Sequence, residues 1–260
     1  PLRDVYKRQV GGCGGLGPRL AQFLINLGAR NIVLTGRRGH ISRSDRLALE
    51  RLVRDPAFPH VTIKIMAADA LSPEAMKDVF NTARSLGPIA GVFLMSVVLR
   101  DDQFMMMDQE KFETVMNSKI GALNVIRQTL NIDEIDFLFL FSSTAALFFN
   151  PGQANYNAAQ AYFNRFALER RNVISYAVPA ISDIGVYAQM RAKSNNAALK
   201  VMDALACTSR ELCTMIAQAI SRLVMGGTNH HGYFIQPMDW EMMHEISPAN
   251  AWSCLLYTSL

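Results

Sequence analysis

Short apolar runs of strand length alternate with helical patterns along nearly the whole chain. Strands are predicted at residues 31–35 (NIVLT), 60–66, 89–97, 135–141, 173–178 and 232–235, each an apolar run bounded by polar or turn residues. Between them the apolar positions recur at helical spacing. Leu20, Phe23, Leu24 and Leu27 mark a helix over 18–27, and further helices are predicted over 44–54, 109–130 and 153–171. Ser42 or Ser44 caps the second of these. Ser72-Pro73-Glu74 opens a helix that runs to about residue 86, with a cap and a proline at the first helical position. Thr208 and Glu211 form a capping-box pattern ahead of a helix that reaches about residue 224. Strand–helix alternation of this kind builds an α/β Rossmann-like fold, a doubly wound parallel sheet with helices on both faces. No internal repeat or linker interrupts it, so a single domain is expected.

The ends break the pattern. PLRDVYKRQ is charged and aperiodic where a first strand belongs, and SCLLYTSL follows the last patterned element without a period. Residues 1–9 and 253–260 are read as non-native tails, of the kind that adapter sequence leaves, around a domain at 10–243.

Composition narrows the classes. Half of the 260 residues are apolar and 18% are charged, ordinary for a globular protein. The formal charge of +4 is small and its basic residues are scattered, which argues against a nucleic-acid partner. No apolar run reaches the roughly 18–20 residues that span a bilayer, so no membrane partner is expected. Cys13, Cys207, Cys213 and Cys254 lack zinc spacing and an even framework; they read as reduced thiols of a cytoplasmic protein, and no metal site is expected.

Two regions carry chemistry. Gly12-Cys13-Gly14-Gly15-Leu16-Gly17 fits G-x-G-x-x-G and opens a helix, whose free N–H groups suit a pyrophosphate. The second strand ends at Arg37 and Arg38, where an NAD site would carry an acid. Two arginines suit a 2′-phosphate, so NADPH is the expected cofactor, although a solvated surface pair is the alternative. After the third strand come Asp69 and Ala70. Asp69 is placed to meet an adenine amine, or serves equally as a helix N-terminal acid. The second region is FSSTAALFFNPGQANYNAAQ. Ser143 stands at a strand end, and Tyr156 follows thirteen residues later at the start of a helix, beyond the turn Pro151-Gly152-Gln153. A strand-end hydroxyl facing a tyrosine can hold a ketone oxygen and protonate it as hydride reaches carbon.

The combination of GGCGGLG, LTGRRG, GVFLMSVVLRD, KFETVMNSKIGALNV, the serine–tyrosine stretch and a closing PMDW resembles the short-chain dehydrogenase/reductase superfamily. Within it the chain is most similar to the ketoreductase domains of type I polyketide synthases and animal-type fatty acid synthases. The resemblance implies NADPH-dependent reduction of a 3-ketoacyl thioester. Its implied partners are an acyl carrier protein bearing the phosphopantetheine-linked substrate and the other synthase domains. It assigns the family's serine position to Ser143 and its proton donor to Tyr156. Ordinary superfamily members carry a lysine four residues after the tyrosine. Here that residue is Gln160, and Lys119 matches the lysine that synthase ketoreductases carry on the preceding long helix. Those ketoreductases have Asn where this chain has Gln160, which keeps the amide and adds one methylene. At i and i+4 on a helix, Gln160 shares a face with Tyr156 and is expected to hold Lys119 or a relay water. The departure also admits a second possibility, a silent pseudo-ketoreductase kept for structure or docking. A free-standing short-chain reductase is a third, and the displaced lysine argues against it. Leu99-Arg100-Asp101 matches the LxD pattern of B-type members, with Phe148 where the A-type carries Trp; Arg100 and Asp101 are equally read as a surface ion pair. The resemblance makes residues 185–202 a lid, whose Arg191, Lys193 and Lys200 face either an acidic carrier or solvent. Met105, Met106 and Met107 are expected to be packing residues.

Overall fold

The computed structural model describes residues 7–10, 12–148, 152–193, 206–225 and 232–235, with only the backbone described at 7–10, 148 and 232–235. Seven strands form one sheet in the order β3-β2-β1-β4-β5-β6-β7. They are β1 (Lys7–Val10), β2 (Asn31–Gly36), β3 (Thr62–Ala67), β4 (Gly91–Leu94), β5 (Phe137–Ser143), β6 (Val173–Val178) and β7 (Gly232–Ile235). Every neighbouring pair is parallel, so all carboxyl ends lie along one edge. The chain order reverses between β1 and β4, and a switch point of this kind opens a crevice at that edge.

The amino end takes part in the sheet. Lys7–Val10 is a central strand, paired on one side with β2 and on the other with β4. Lys7, Arg8 and Gln9, part of the aperiodic stretch 1–9, therefore lie in the sheet. Apolar alternation could not reveal this strand, because hydrogen bonding to two neighbouring backbones places it whatever its side chains are. The tail expected at 253–260, the PMDW motif and Cys254 lie outside the described residues.

The helices on one face are α1 (Leu16–Asn26), α2 (Arg43–Arg54) and α9 (Ser209–Val224). Leu20, Leu24, Ile216 and Ile220 pack there on Phe93, Phe137, Phe139 and Tyr176. On the other face α3 (Pro73–Leu86), α5 (Ala122–Thr129) and α7 (Ala154–Leu168) bury Phe80, Ile126 and Phe163 against Val92, Leu138 and Leu140. The run FLFLF is thus divided: its phenylalanines face one layer and its leucines the other, which is why it carries no polar alternation. At Gly91 a methyl group would come within 2.1 Å of the Phe137 ring, so the strand pairing there admits only glycine.

Local signals set the helix starts. Ser42 caps α2 by accepting from Asp45 N, Ser72 caps α3 ahead of Pro73, and Thr208 with Glu211 forms the capping box of α9. The helix expected over 109–130 runs without interruption from Gln109 to Thr129, as α4 (Gln109–Met116), a π-turn (Asn117–Gly121) and α5. The methionines are a correction. Met105 and Met106 are 89% and 65% exposed on a short 3-10 turn, held outward by the loop that follows β4.

Candidate active site

The glycine loop links β1 to α1. Cys13 N donates to Thr35 O, which ties the loop to β2. A Cβ on Gly17 would sit 1.8 Å from Gly12 O, so the loop closes only around glycine. Gly15 is the N-cap of α1 and makes no side-chain cap bond, and within the first turn Gly17 N donates to Gly14 O. Gly14 and Gly15 are exposed and Leu16 half-buried. A cleft of about 360 Å³ runs from Gly15 and Arg19 past Asp45 to Asp183, Ile184 and Gly185. Arg37 and Arg38 follow β2 and are both exposed. Asp69 is exposed after β3, and its Oδ1 accepts from Leu71 N, so one oxygen makes the local turn and the other stays available. Ala70 beside it is half-buried. A loop closed around Gly17, a helix terminus without a side-chain cap and two exposed arginines just after β2 fit a dinucleotide phosphate.

The second cluster stands at the carboxyl end of β5. Ser143 is the last residue of that strand, and its Oγ accepts from Ala145 N at 3.2 Å. Tyr156, in the first turn of α7, is half-buried, and its hydroxyl lies beside Ser143 and Gln160. Burial pushes the Tyr156 phenol up from its ordinary value. The neighbouring Ser143 and Gln160 side chains pull it down, and the Asp101 charge raises it. Lys119 comes from the π-turn and is 1% exposed. Its Nζ donates to Phe141 O at 2.8 Å, and lies 5.7 Å from the Tyr156 ring centroid and 5.0 Å from that of Phe163. Burial lowers the Lys119 ammonium to about 7. Gln160 is fully buried one turn beyond Tyr156, and neither amide atom has a partner of ordinary hydrogen-bond geometry. Its proximity to the phenol is therefore electrostatic, and its amide is left for a water or ligand. Ser142 is buried and its Oγ is unpartnered; it points to the opposite side of the strand from Ser143.

The structure thus brings Lys119, Ser143, Tyr156 and Gln160 together, and sets Gly12–Gly17, Arg37, Arg38 and Asp69 along the same sheet edge. Asp101 Oδ2 accepts from Gln153 Nε2 at 2.8 Å, while Arg100 Nη1 turns back to Leu99 O; the two residues do not form the surface ion pair. Phe148's side chain, Pro151 and Lys200 lie outside the described residues. Arg191 and Lys193 are exposed on α8 (Gly185–Lys193).

Sequence reasoning missed Asn155. It is fully buried, its Nδ2 donates to Arg100 O at 2.9 Å and Lys111 O at 3.2 Å, and its Oδ1 accepts from Tyr156 N at 2.7 Å. It joins α7, α4 and the loop after β4 directly beside the tyrosine. Nothing local separates it from Asn150 or Asn157, and only its long-range partners reveal it.

With this geometry in hand, the comparisons with known proteins decide the family. The family model described as KR domain matches residues 9–189. The chain belongs to the ketoreductase (KR) domain family. Among this ketoreductase domain's relatives is Highly-reducing polyketide synthase 1 of Aureobasidium melanogenum, 27% identical over 225 residues, which are 85% of this chain and 10% of that protein. Equisetin synthetase eqxS of Fusarium heterosporum is 34% identical over 180 residues, 68% of this chain and 4% of the synthetase. The domain therefore spans a tenth or less of these relatives' length. A solved A1-type ketoreductase matches with TM-score 0.75 and 26% identity over 95% of this chain and 50% of that one. A-type ketoreductases from a modular polyketide synthase match with TM-score 0.76 and 25% identity, covering 93% and 49%. Both structures are A-type, and the likeness carries the architecture.

Proposed function

We propose that this ketoreductase domain uses NADPH to reduce a carrier-bound 3-ketoacyl thioester to the 3-hydroxyacyl thioester within a polyketide-type synthase. The observation that carries the proposal is Lys119. It reaches from the π-turn to lie beneath the Tyr156 ring, filling the role that a lysine one turn after the tyrosine would otherwise take.

The glycine loop and the open end of α1 hold the pyrophosphate, Arg37 and Arg38 take the 2′-phosphate, and Asp69 meets the adenine. NADPH held there would supply the hydride for the substrate carbon. Ser143 Oγ donates to the ketone oxygen and holds it against Tyr156. Tyr156 gives that oxygen its phenolic proton, so the product is the neutral alcohol and the residue is left as phenolate. The Lys119 ammonium, titrating near neutrality, stabilises that phenolate and can return a proton to it. Gln160's unpartnered amide is suited to hold the water that resupplies Lys119. Leu99-Arg100-Asp101 supports B-type stereochemistry, with Asp101 fastened to the turn before Tyr156. Exposed Arg191 and Lys193 suit an acidic carrier protein, and the other synthase domains complete the assembly. Among the described residues no helix is long and apolar enough to cross a membrane, and Cys13, Cys207 and Cys213 are free, in keeping with a cytoplasmic setting.

The test is Tyr156→Phe, assayed with a short 3-ketoacyl thioester by NADPH oxidation and by cofactor fluorescence. Reduction should be abolished while NADPH still binds; retained turnover sinks the mechanism. The buried, unpaired amide of Gln160 favours one second reading, a silent structural domain. That reading predicts no single-turnover oxidation of NADPH by the native chain.

A further inference from the structure

Lys119 owes its position to an unusual stretch of backbone. The π-turn is wider than an α-helix: Ala122 N reaches back to Asn117 O, five residues away, where an α-helix would reach four. Such a turn spoils the ordinary pairing of the carbonyls around it, and two hydroxyls meet those carbonyls here. Ser118 Oγ donates to Val115 O at 2.7 Å, within the same turn. Ser96 Oγ donates to Ser118 O, from a different element. Ser96 lies two residues beyond β4, half-buried, and its bond crosses 22 positions of sequence. It grips the peptide immediately before Lys119 from the sheet side.

We propose that Ser96 is a positioning residue for the proton-transfer site, holding the π-turn open so that Lys119 points under Tyr156. The inference rests on Lys119 supporting Tyr156. Ser96 bonds the backbone at Ser118 and acts through it. Without its hydroxyl, Ser118 O loses its bond to the sheet edge, and the turn can revert to i→i+4 pairing. Removing the one-residue excess would rotate Lys119 against α5 by about 100°. That breaks the bond to Phe141 O and takes the ammonium out from under the phenol ring. A displacement of roughly 1 Å at a reacting group can already lower a rate about 100-fold. The loss should therefore fall on kcat, because the cofactor loop and the substrate-facing hydroxyls are untouched.

The experiment compares Ser96→Ala with Ser96→Thr, which retains a hydroxyl at the same carbon. Two readouts are taken: steady-state kinetics with a 3-ketoacyl thioester, and labelling of Lys119 by an amine reagent followed by mass spectrometry. In the native chain Lys119 is 1% exposed and should label slowly. Ser96→Ala should lower kcat at least about tenfold with KM little changed. It should also speed Lys119 labelling at least tenfold, with exposed lysines such as Lys64 unaffected and the melting transition still cooperative. Ser96→Thr should restore both. Native labelling and kcat in Ser96→Ala overturn the proposal. So does a labelling increase that Ser96→Thr fails to reverse. The labelling arm needs no turnover, so it tests Ser96 even if the native chain does not reduce the thioester. That outcome would refute the proposed reaction alone.

Discussion

Replacing Lys119 by methionine should make the protein more stable and much less active. Methionine keeps the apolar stem and about the same volume, so Phe163 and Tyr156 retain a packing partner. What disappears is an ammonium in a site with almost no water, lowered by burial from 10.5 to about 7. At about 1.4 kcal/mol per unit, holding that charge in the fold costs roughly 4–5 kcal/mol at and below neutral pH. Loss of the bond to Phe141 O returns about 1 kcal/mol, so the net gain is about 3 kcal/mol. For a domain of this size that is a rise in Tm of about 6–12 °C. The sign follows from proton binding. Between about pH 7 and 10.5 the unfolded chain holds the Lys119 proton and the folded chain has shed it. Native stability therefore climbs with pH across that window, and the full penalty applies below it. The advantage of Lys119→Met should be constant below about pH 7, shrink steadily above it and be nearly gone by about pH 10.5. Urea melts of both proteins at pH 6, 8 and 10 read this directly, and thioester reduction should fall at least about 100-fold in parallel. A variant less stable than native at pH 6, or equally favoured at pH 6 and 10, would refute the argument.

Further outcomes follow from other contacts. Asn155→Ala strips donors from Arg100 O and Lys111 O and an acceptor from Tyr156 N, and should cost about 2–4 kcal/mol in urea melts together with a fall in kcat. The double substitution of Arg37 and Arg38 by alanine removes two charge-assisted donors, and should reduce the preference for NADPH over NADH about 10- to 100-fold in the ratio of kcat/KM values. Gln160→Asn, which shortens the amide by one methylene, should change the single-turnover rate by less than about tenfold. A silent native chain with an active Gln160→Asn variant would instead support the structural reading.

Much of this molecule was legible in its one-dimensional pattern, because many of its signals are local. Strand runs such as FLFLF, the caps at Ser42, Ser72 and Thr208, and the helical spacing of Leu20 and Leu24 act within a few residues. The thirteen-residue step from Ser143 to Tyr156 spans only one strand end, one turn and one helix start, so covalent connection nearly fixes their approach. Gly17 was legible for a similar reason: its closest neighbour, Gly12, is five residues away. Other features were settled only by contacts across the fold. β1 is a strand because β2 and β4 offer it their backbones, although two of its four residues are charged. The apolar spacing at 109–130 is the same for a regular α-helix as for one widened at Asn117–Gly121, and only the backbone bond from Ala122 N to Asn117 O distinguishes them. Lys119's ammonium titrates near neutrality because strand, π-turn and α7 together exclude water from it, and burial belongs to no residue alone. Local hydrogen bonding and periodicity determined the elements, and the motifs with the resemblance they carry pointed to the candidate site residues. Which of those groups is buried, which carbonyl each one meets and which asparagine anchors them depended on tertiary packing, because desolvation and long-range bonds exist only once the layers close.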